Sequence, residues 1–325
     1  MPTLKEIKGR IGSVKNTLKI TSAMKLVSSA KLRKAQHATE AMRPYEVQLQ
    51  RMLAVVAASR STERAQIVSG TAGMGGSDTD TGVFVPGPAE TAPRPTAIIA
   101  IASNSSLCGG FNANAIAKVR SVRQKGDVIY SIGRKMADVM RKEGFPSPED
   151  FTALAERPQY GPAAQLVVRL TEDLEAGRIG KVLLVYNHYV STARQTPVVE
   201  QLLPAAGNPS PEAPVQDDRI APDRPPSVIL SASEESVDSV APDVILEPGA
   251  AELLSQLLPK TLKLKLYAAL LDSAAAEHAA RTVAMQTATD NGEKLLDELT
   301  LQYNKGRQQK ITSEILDLAG GQAAE

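Results

Sequence analysis

Side chains capable of covalent or metal chemistry are few in this chain. One thiol, Cys108, stands against three imidazoles, His37, His188 and His278. A thiol nucleophile needs a base within hydrogen-bond reach, and nothing in the sequence brings an imidazole beside Cys108. A tetrahedral metal site needs ligands in characteristic pairs, and these four residues show no such spacing. His278 falls inside an apolar helical stripe, where a packed imidazole is the expectation. Neither a catalytic constellation nor a metal or cofactor site emerges.

Glycine-rich turns are the next candidates, because backbone amides can cradle phosphate. The stretch GTAGMGGSDTDTG has no strand before it, and GxxxxGK[ST] occurs nowhere in the chain. SNSSLCGGFNAN (Ser103–Asn114) is better placed. It follows a short apolar run, at the strand end where open α/β sheets bind ligands. Yet it is not GxGxxG, and no acidic residue closes the next strand to hold a ribose. A tight strand-to-helix turn that needs Gly109 and Gly110 is the other reading.

Those turns need elements to position them. TAIIAIAS (Thr96–Ser103), DVIYSIG (Asp127–Gly133) and KVLLVYN (Lys181–Asn187) read as buried strands, and Pro197–Leu203 as a fourth. Helical patterns fall between them at 112–124, 134–143 and 165–176, and DVILEP (Asp243–Pro248) resembles a closing strand. Strands alternating with such helices predict a mostly parallel, Rossmann-like α/β domain.

The two ends have a different grammar. Leu4, Ile7, Ile11, Val14 and Leu18 recur by threes and fours, as do Leu271, Ala274, His278, Met285, Leu295, Leu299 and Tyr303. Such stripes bury themselves against another helix, which predicts a long antiparallel coiled coil of the N- and C-terminal helices. About 57 and 60 residues would span roughly 85 and 90 Å. The first stripe is expected to slip after Leu18 into Ile20, Met24 and Val27, twisting the rod, and Pro44 to kink it near Thr39–Met42. Alanines between Ala274 and Ala288 predict a thin waist, and Gly292 and Gly306 fit only where helices approach closely. The resulting plan is a shaft helix over 1–60, a flexible insertion over 61–94 and the α/β domain over 95–203. A Pro-rich acidic insertion then covers 204–242, the end of the α/β domain 243–259, and a second shaft helix 260–325.

Net charge is +1, but it is unevenly placed. Nine Lys or Arg and one acid, Glu6, lie between Lys5 and Lys34, whereas Ser210–Glu247 holds nine acids against Arg219 and Arg224. Such asymmetry marks an oriented molecule with partners of opposite sign. The basic run is either a solvated face or a rod surrounded by acidic protein. One cysteine allows no internal disulfide and fits a reducing compartment. No run of about 20 apolar residues and no secretory signal is found, so a cytosolic or peripheral protein is expected.

Three separated blocks carry a resemblance. IKGRIGSVKNTLKITSAMKLVSSAKLRKAQ, followed by RPY, resembles the N-terminal signature of the gamma subunit of F-type ATP synthases. EHAARTVAMQTATDNGEKLLDELTLQYNKGRQQKITSEILDLAGG is similar to its C-terminal signature, and LCGGFN to its α/β motif. SNSS stands where the family has SDxG, AARTVAM where it has AARMVAM, and the two insertions exceed the usual subunit.

The resemblance implies a rotor. The shaft would stand inside a hexamer of alternating alpha and beta subunits, with the α/β domain on the membrane c-ring beside the epsilon subunit. Proton flow would turn ring and shaft together, and ATP would be made or hydrolysed on beta. One copy per complex would sit peripherally on the cytoplasmic face of a bacterial inner membrane, without inserting into it. By matched motif, Met24, Lys25, Arg281, Arg307 and Gln308 would contact the hexamer, and Cys108, Gly109 and Gly110 would face epsilon. Two other classes remain open: a non-catalytic coiled-coil scaffold, and a nucleic-acid binder, which would need its charges on one face and a steep salt dependence.

Overall fold

The computed structural model describes residues 3–70, 94–204, 247 and 249–321. The glycine-rich stretch over 71–93, the acidic Pro-rich stretch over 205–246 and, save residue 247, the strand expected at 243–248 lie outside the described residues.

In the middle of the chain, four strands form one sheet: β1 (Thr96–Ile101), β2 (Val128–Ile132), β3 (Lys181–Tyr189) and β4 (Gln195–Leu203). Their order is β2-β1-β3-β4, with β1 parallel to both neighbours and β4 antiparallel to β3. Because side chains alternate along a strand, β1 feeds two cores. Ile98 and Ala100 pack with α2 (Phe111–Val122) and α3 (Arg134–Lys142), through Ala115, Val119, Met136 and Met140. Ala97, Ile99 and Ile101 face α5 (Tyr160–Glu175), through Leu166 and Leu170. A short helix absent from the sequence reading, α4 (Thr152–Glu156), adds Leu154 to that second core.

The second core is completed by a shaft helix. Leu262, Leu266 and Leu270 of α6 (Ala250–Gly321) lie in it. At about 1.5–3 kcal/mol per buried Leu or Ile, these contacts weld the helix to the sheet. The expected division at Pro259, between the end of the α/β domain and a second shaft helix from 260, is therefore corrected: α6 is one helix from Ala250 onward. Pro259 removes one backbone donor, while Leu258 beside it packs on the core and holds the helical course.

Its partner, α1 (Leu4–Gly70), starts on a capping box in which Thr3 N donates to Glu6 Oε2 (3.0 Å) and Glu6 N to Thr3 Oγ1 (3.3 Å). The helix runs through Pro44 and on to Gly70, so the boundary expected at residue 60 is also corrected. At 1.5 Å per residue, its 67 residues and the 72 of α6 give rods of about 100 and 110 Å.

The two rods are antiparallel and in strict register. Leu4 meets Gly306, Leu18 meets Gly292 and Thr21 bonds Thr289, so residue i of α1 faces residue 310−i of α6. The seam positions of α1 are 4, 7, 11, 14, 18, 21, 25, 28, 32, 35, 39, 42, 46, 49, 53 and 56, and each is buried or half-buried. That is an unbroken alternation of threes and fours. The predicted slip after Leu18 does not occur: the seam continues through Thr21, Lys25 and Ser28, while Ile20 and Val27 face outward. Small and polar side chains hold the seam here because the facing helix comes close. A Cβ on Gly292 would lie 2.7 Å from Leu18 Cδ2.

Candidate functional site

Two features of this architecture have functional content: the joint between shaft and α/β domain, and the surface that the shaft presents.

The joint is built on the turn after β1. Leu107 and Gly109 take left-handed backbone angles (φ 67° and 56°), which fold the turn back onto its own polar groups. Ser103 N and Oγ both donate to Asn112 Oδ1 (3.0 and 2.9 Å), and Asn112 Nδ2 donates to Cys108 Sγ (3.1 Å). Cys108 is buried with Phe111 against Ala276 and Ala280 of α6. The thiol is thus enclosed by its own chain. Gly109 and Gly110 remain at the surface. Ala275 and Ala279, one residue round the helix, pack instead on Leu32 of α1. The alanine waist therefore serves two neighbours at once.

Arg281 latches the turn. Its Nη2 donates to Ser105 Oγ (2.9 Å) and its Nη1 pairs with Glu277 Oε1 (2.7 Å), with Arg281 and Glu277 each 8% exposed. Burial raises the Glu277 carboxyl above its usual range, with Arg281 and Lys31 pulling it back down. Expected as a contact to partner subunits, Arg281 is occupied within its own chain; the signature block carries it, but only the fold brings Ser105 to it. At the end of β3, Asp272 of α6 accepts from Tyr189 N (3.2 Å) and bonds His188 Nδ1 (2.6 Å), which raises the His188 pKa. Burial, helped by Arg281 and Lys31, lowers His278 to about 4, so this seam imidazole is neutral near pH 7.

The other predicted residues divide. Arg307 and Gln308 are exposed. In the register they lie past Leu4, where α6 projects beyond the start of α1, carrying exposed Ile311, Ile315 and Leu316. Met24 is half-buried, and Lys25 occupies a seam position. What the shaft shows there is Ile20, Leu26 and Val27, each more than half exposed. Ile20 and Val27 escaped the sequence reading as surface because their spacing was assigned to the seam. Ile20 and Val27, seven residues apart, share one face of the helix, with Leu26 about 100° round from Val27, and exposed apolar side chains gathered on one stretch of a long helix suit a protein contact.

Chemistry of other kinds finds little support. Among the described residues, no group of three His, Cys, Asp or Glu is placed to hold a metal ion, and no helix is long and apolar enough to cross a membrane. A hollow of about 500 Å³ between α4 and α5 is lined by Glu149, Phe151, Leu154, Arg157 and Arg169. Its Glu149 is paired with Arg169.

Comparison with known proteins gives this geometry a family. The ATP synthase family model matches residues 3–324. ATP synthase gamma chains of Phocaeicola vulgatus and Bacteroides fragilis are each 40% identical, with 100% of both chains covered. The chain belongs to the ATP synthase gamma chain family. A gamma chain from Pelotomaculum thermopropionicum is 36% identical over 100% of this chain and 99% of its own. Among solved structures, the rotor of Euglena gracilis mitochondrial ATP synthase has the same fold, with a TM-score of 0.55, 17% identity and coverage of 95% and 98%. The central stalk and c-ring structure from Tetrahymena thermophila matches with a TM-score of 0.50 and 18% identity, covering 83% and 99%. Over its described residues, then, this family member keeps the two-helix shaft and α/β domain, with Arg281 latched inward.

Proposed function

We infer that this chain is the central rotor stalk of a proton-translocating F-type ATP synthase, coupling rotation of a membrane c-ring to ATP synthesis or hydrolysis on beta subunits. It performs no chemistry itself. The observation that carries this reading is α6, which is both a wall of the α/β core and half of the shaft. A body welded to a rod in this way turns as one piece.

The mechanism is coupling by differential contact. A shaft that is not symmetric about its axis presents a different face to each of three beta subunits, and stabilises a different conformation in each. Here the faces differ chemically. One carries Ile20 and Val27, another Leu26, and lysines and arginines are spread along the same helix. The projecting end of α6 brings Arg307 and Gln308 beside Ile311 and Ile315. Arginine donates in fixed directions to carboxylates and carbonyls, so Arg307 and Gln308 are assigned to hexamer loops, with Met24 and Lys25 near the acidic loops of beta. The α/β domain stands on the c-ring beside epsilon, with the exposed Gly109–Gly110 turn on the epsilon side. The assembly holds one copy of the chain, peripheral to the cytoplasmic face of a bacterial inner membrane.

Affinity purification of the tagged chain from native membranes tests the assignment. Alpha and beta subunits should come down with it. Recovery of the chain without them would favour a coiled-coil scaffold. Within the complex, Arg307→Ala or Gln308→Ala should lower ATP synthesis and hydrolysis, and unchanged rates would remove those residues from the contact set.

A further inference from the structure

α6 is fixed to the α/β domain by its own leucines, but α1 has no such anchorage. Across the described residues, one side-chain hydrogen bond joins α1 to the α/β domain: Gln36 Nε2 donates to Tyr189 OH (2.9 Å). Tyr189 lies at the end of β3, and its backbone N is held by Asp272 of α6. Its half-buried ring packs on two clusters. One is Cys108, Phe111, Ala276 and Ala280, at the turn and α6; the other is Leu32, Ala275 and Ala279, between the two shaft helices. Turn, α6 and α1 therefore meet at a single side chain.

We propose that Tyr189 is the pin that holds α1 to the α/β domain, so that both shaft helices turn with it. Without the pin, α1 is carried only by its seam with α6. That seam is weakest in apolar terms at Thr21, Lys25 and Ser28. A helix held along such a seam can shift against its partner under load. Anchored at Gln36, it cannot do so without breaking the Tyr189 contact. Tyr189 acts through α1 and is a positioning residue. Its part in coupling rests on the rotor reading, whereas its part in holding α1 does not.

Tyr189→Phe keeps the ring and removes the hydroxyl, while Gln36→Leu removes the amide from a helix-compatible side chain. In the full-length chain, hydrogen exchange of α1 amides around Gln36 should rise about 2- to 10-fold in either variant. The double variant should be no worse than Tyr189→Phe alone, which already deletes the Gln36 bond together with the contact of the hydroxyl to Thr192 Oγ1 (3.3 Å). In the assembled enzyme, ATP hydrolysis should persist while protons pumped per ATP fall, and Tyr189→Ala should deepen the loss. Unchanged exchange in Tyr189→Phe, or additive effects in the double variant, would overturn the pin. Raised exchange with unchanged pumping would overturn its part in coupling. Failure of the unmodified chain to restore ATP hydrolysis with alpha and beta subunits would overturn the rotor reading instead, leaving the exchange result to judge the pin.

Discussion

The α/β domain and the shaft solve opposite problems with the same chain. In the domain, Ile98, Ile99, Ile132, Met136, Leu170 and Leu184 are fully buried, and the sheet is covered on both faces. Such a body, with α6 as one of its walls, leaves little of its core for a partner to cover. In the shaft, Ala275, Ala279, Thr21 and Ser28 fill the seam, while Leu26 and Leu301 stand 70% and 71% exposed. Apolar side chains left outside while small and polar ones go inside are uneconomical for a free molecule. They make sense for a rod whose outer surface is completed by another protein. Burial thus separates what holds this chain together from what it offers to partners.

The two signature arginines give the sharpest test of that contrast. Arg281→Ala should destabilise the free chain by about 3–5 kcal/mol, because it leaves the buried Glu277 carboxylate unpaired. Arg307→Ala, at an exposed position, should stay within about 0.5 kcal/mol. Denaturant unfolding of both variants would measure this. Equal, small effects would place Arg281 with the partner-facing residues after all. Gly292→Val comes next: its Cβ would lie 2.7 Å from Leu18 Cδ2, and the forced separation should cost about 1–3 kcal/mol. If instead the variant is as stable as the parent, the seam is looser than its register implies.

How much of this was legible in the sequence follows the same division. The strands were readable because apolar runs such as TAIIAI are bounded by turn residues. Gly292 and Gly306 of α6 were correctly tied to close approach, and each meets a leucine of α1. The seam was misread after Leu18 because periodicity follows the largest apolar residues, and here those residues face outward. The division between 259 and 260 was drawn because local patterning cannot see the core packing of Leu258 and Leu262, on either side of it. The burial of Arg281 and Cys108 was not legible, because it depends on a turn about 175 residues away from α6 in sequence. Tyr189 went unnoticed because β3 was ended two residues too early, at Asn187.

Two histidines carry the comparison into pH. His278, in the shaft seam, has its pKa lowered by burial to about 4, from an ordinary 6.5. Between those values the folded chain binds fewer protons there than the unfolded chain, so stability falls as pH drops through that window. His188, at the joint, is raised by its bond to Asp272 and has the opposite sign. Its stabilisation is complete below the ordinary imidazole value and is lost as pH rises through the raised one. Thermal midpoints across pH should show His278→Gln flattening the acid limb and His188→Gln flattening the neutral one. Unaltered limbs would mean that neither imidazole is linked to folding.

At the projecting end of α6 the expected effect on the chain itself is smallest. Ile315 is 59% exposed, and by the register nothing on α1 faces it. Ile315→Ser removes no internal contact, so free-chain stability should change by no more than about 0.5 kcal/mol. If the hexamer covers this end, the same substitution must desolvate a hydroxyl there, and it should lower the affinity of the chain for alpha and beta subunits by about 10-fold or more. A stability loss comparable to Gly292→Val would mean that the end folds back on the shaft. Unchanged assembly would mean that the apolar edge projects into solvent even in the complex. Only a variant silent alone and costly in company supports a rod whose last turns are finished by its partners.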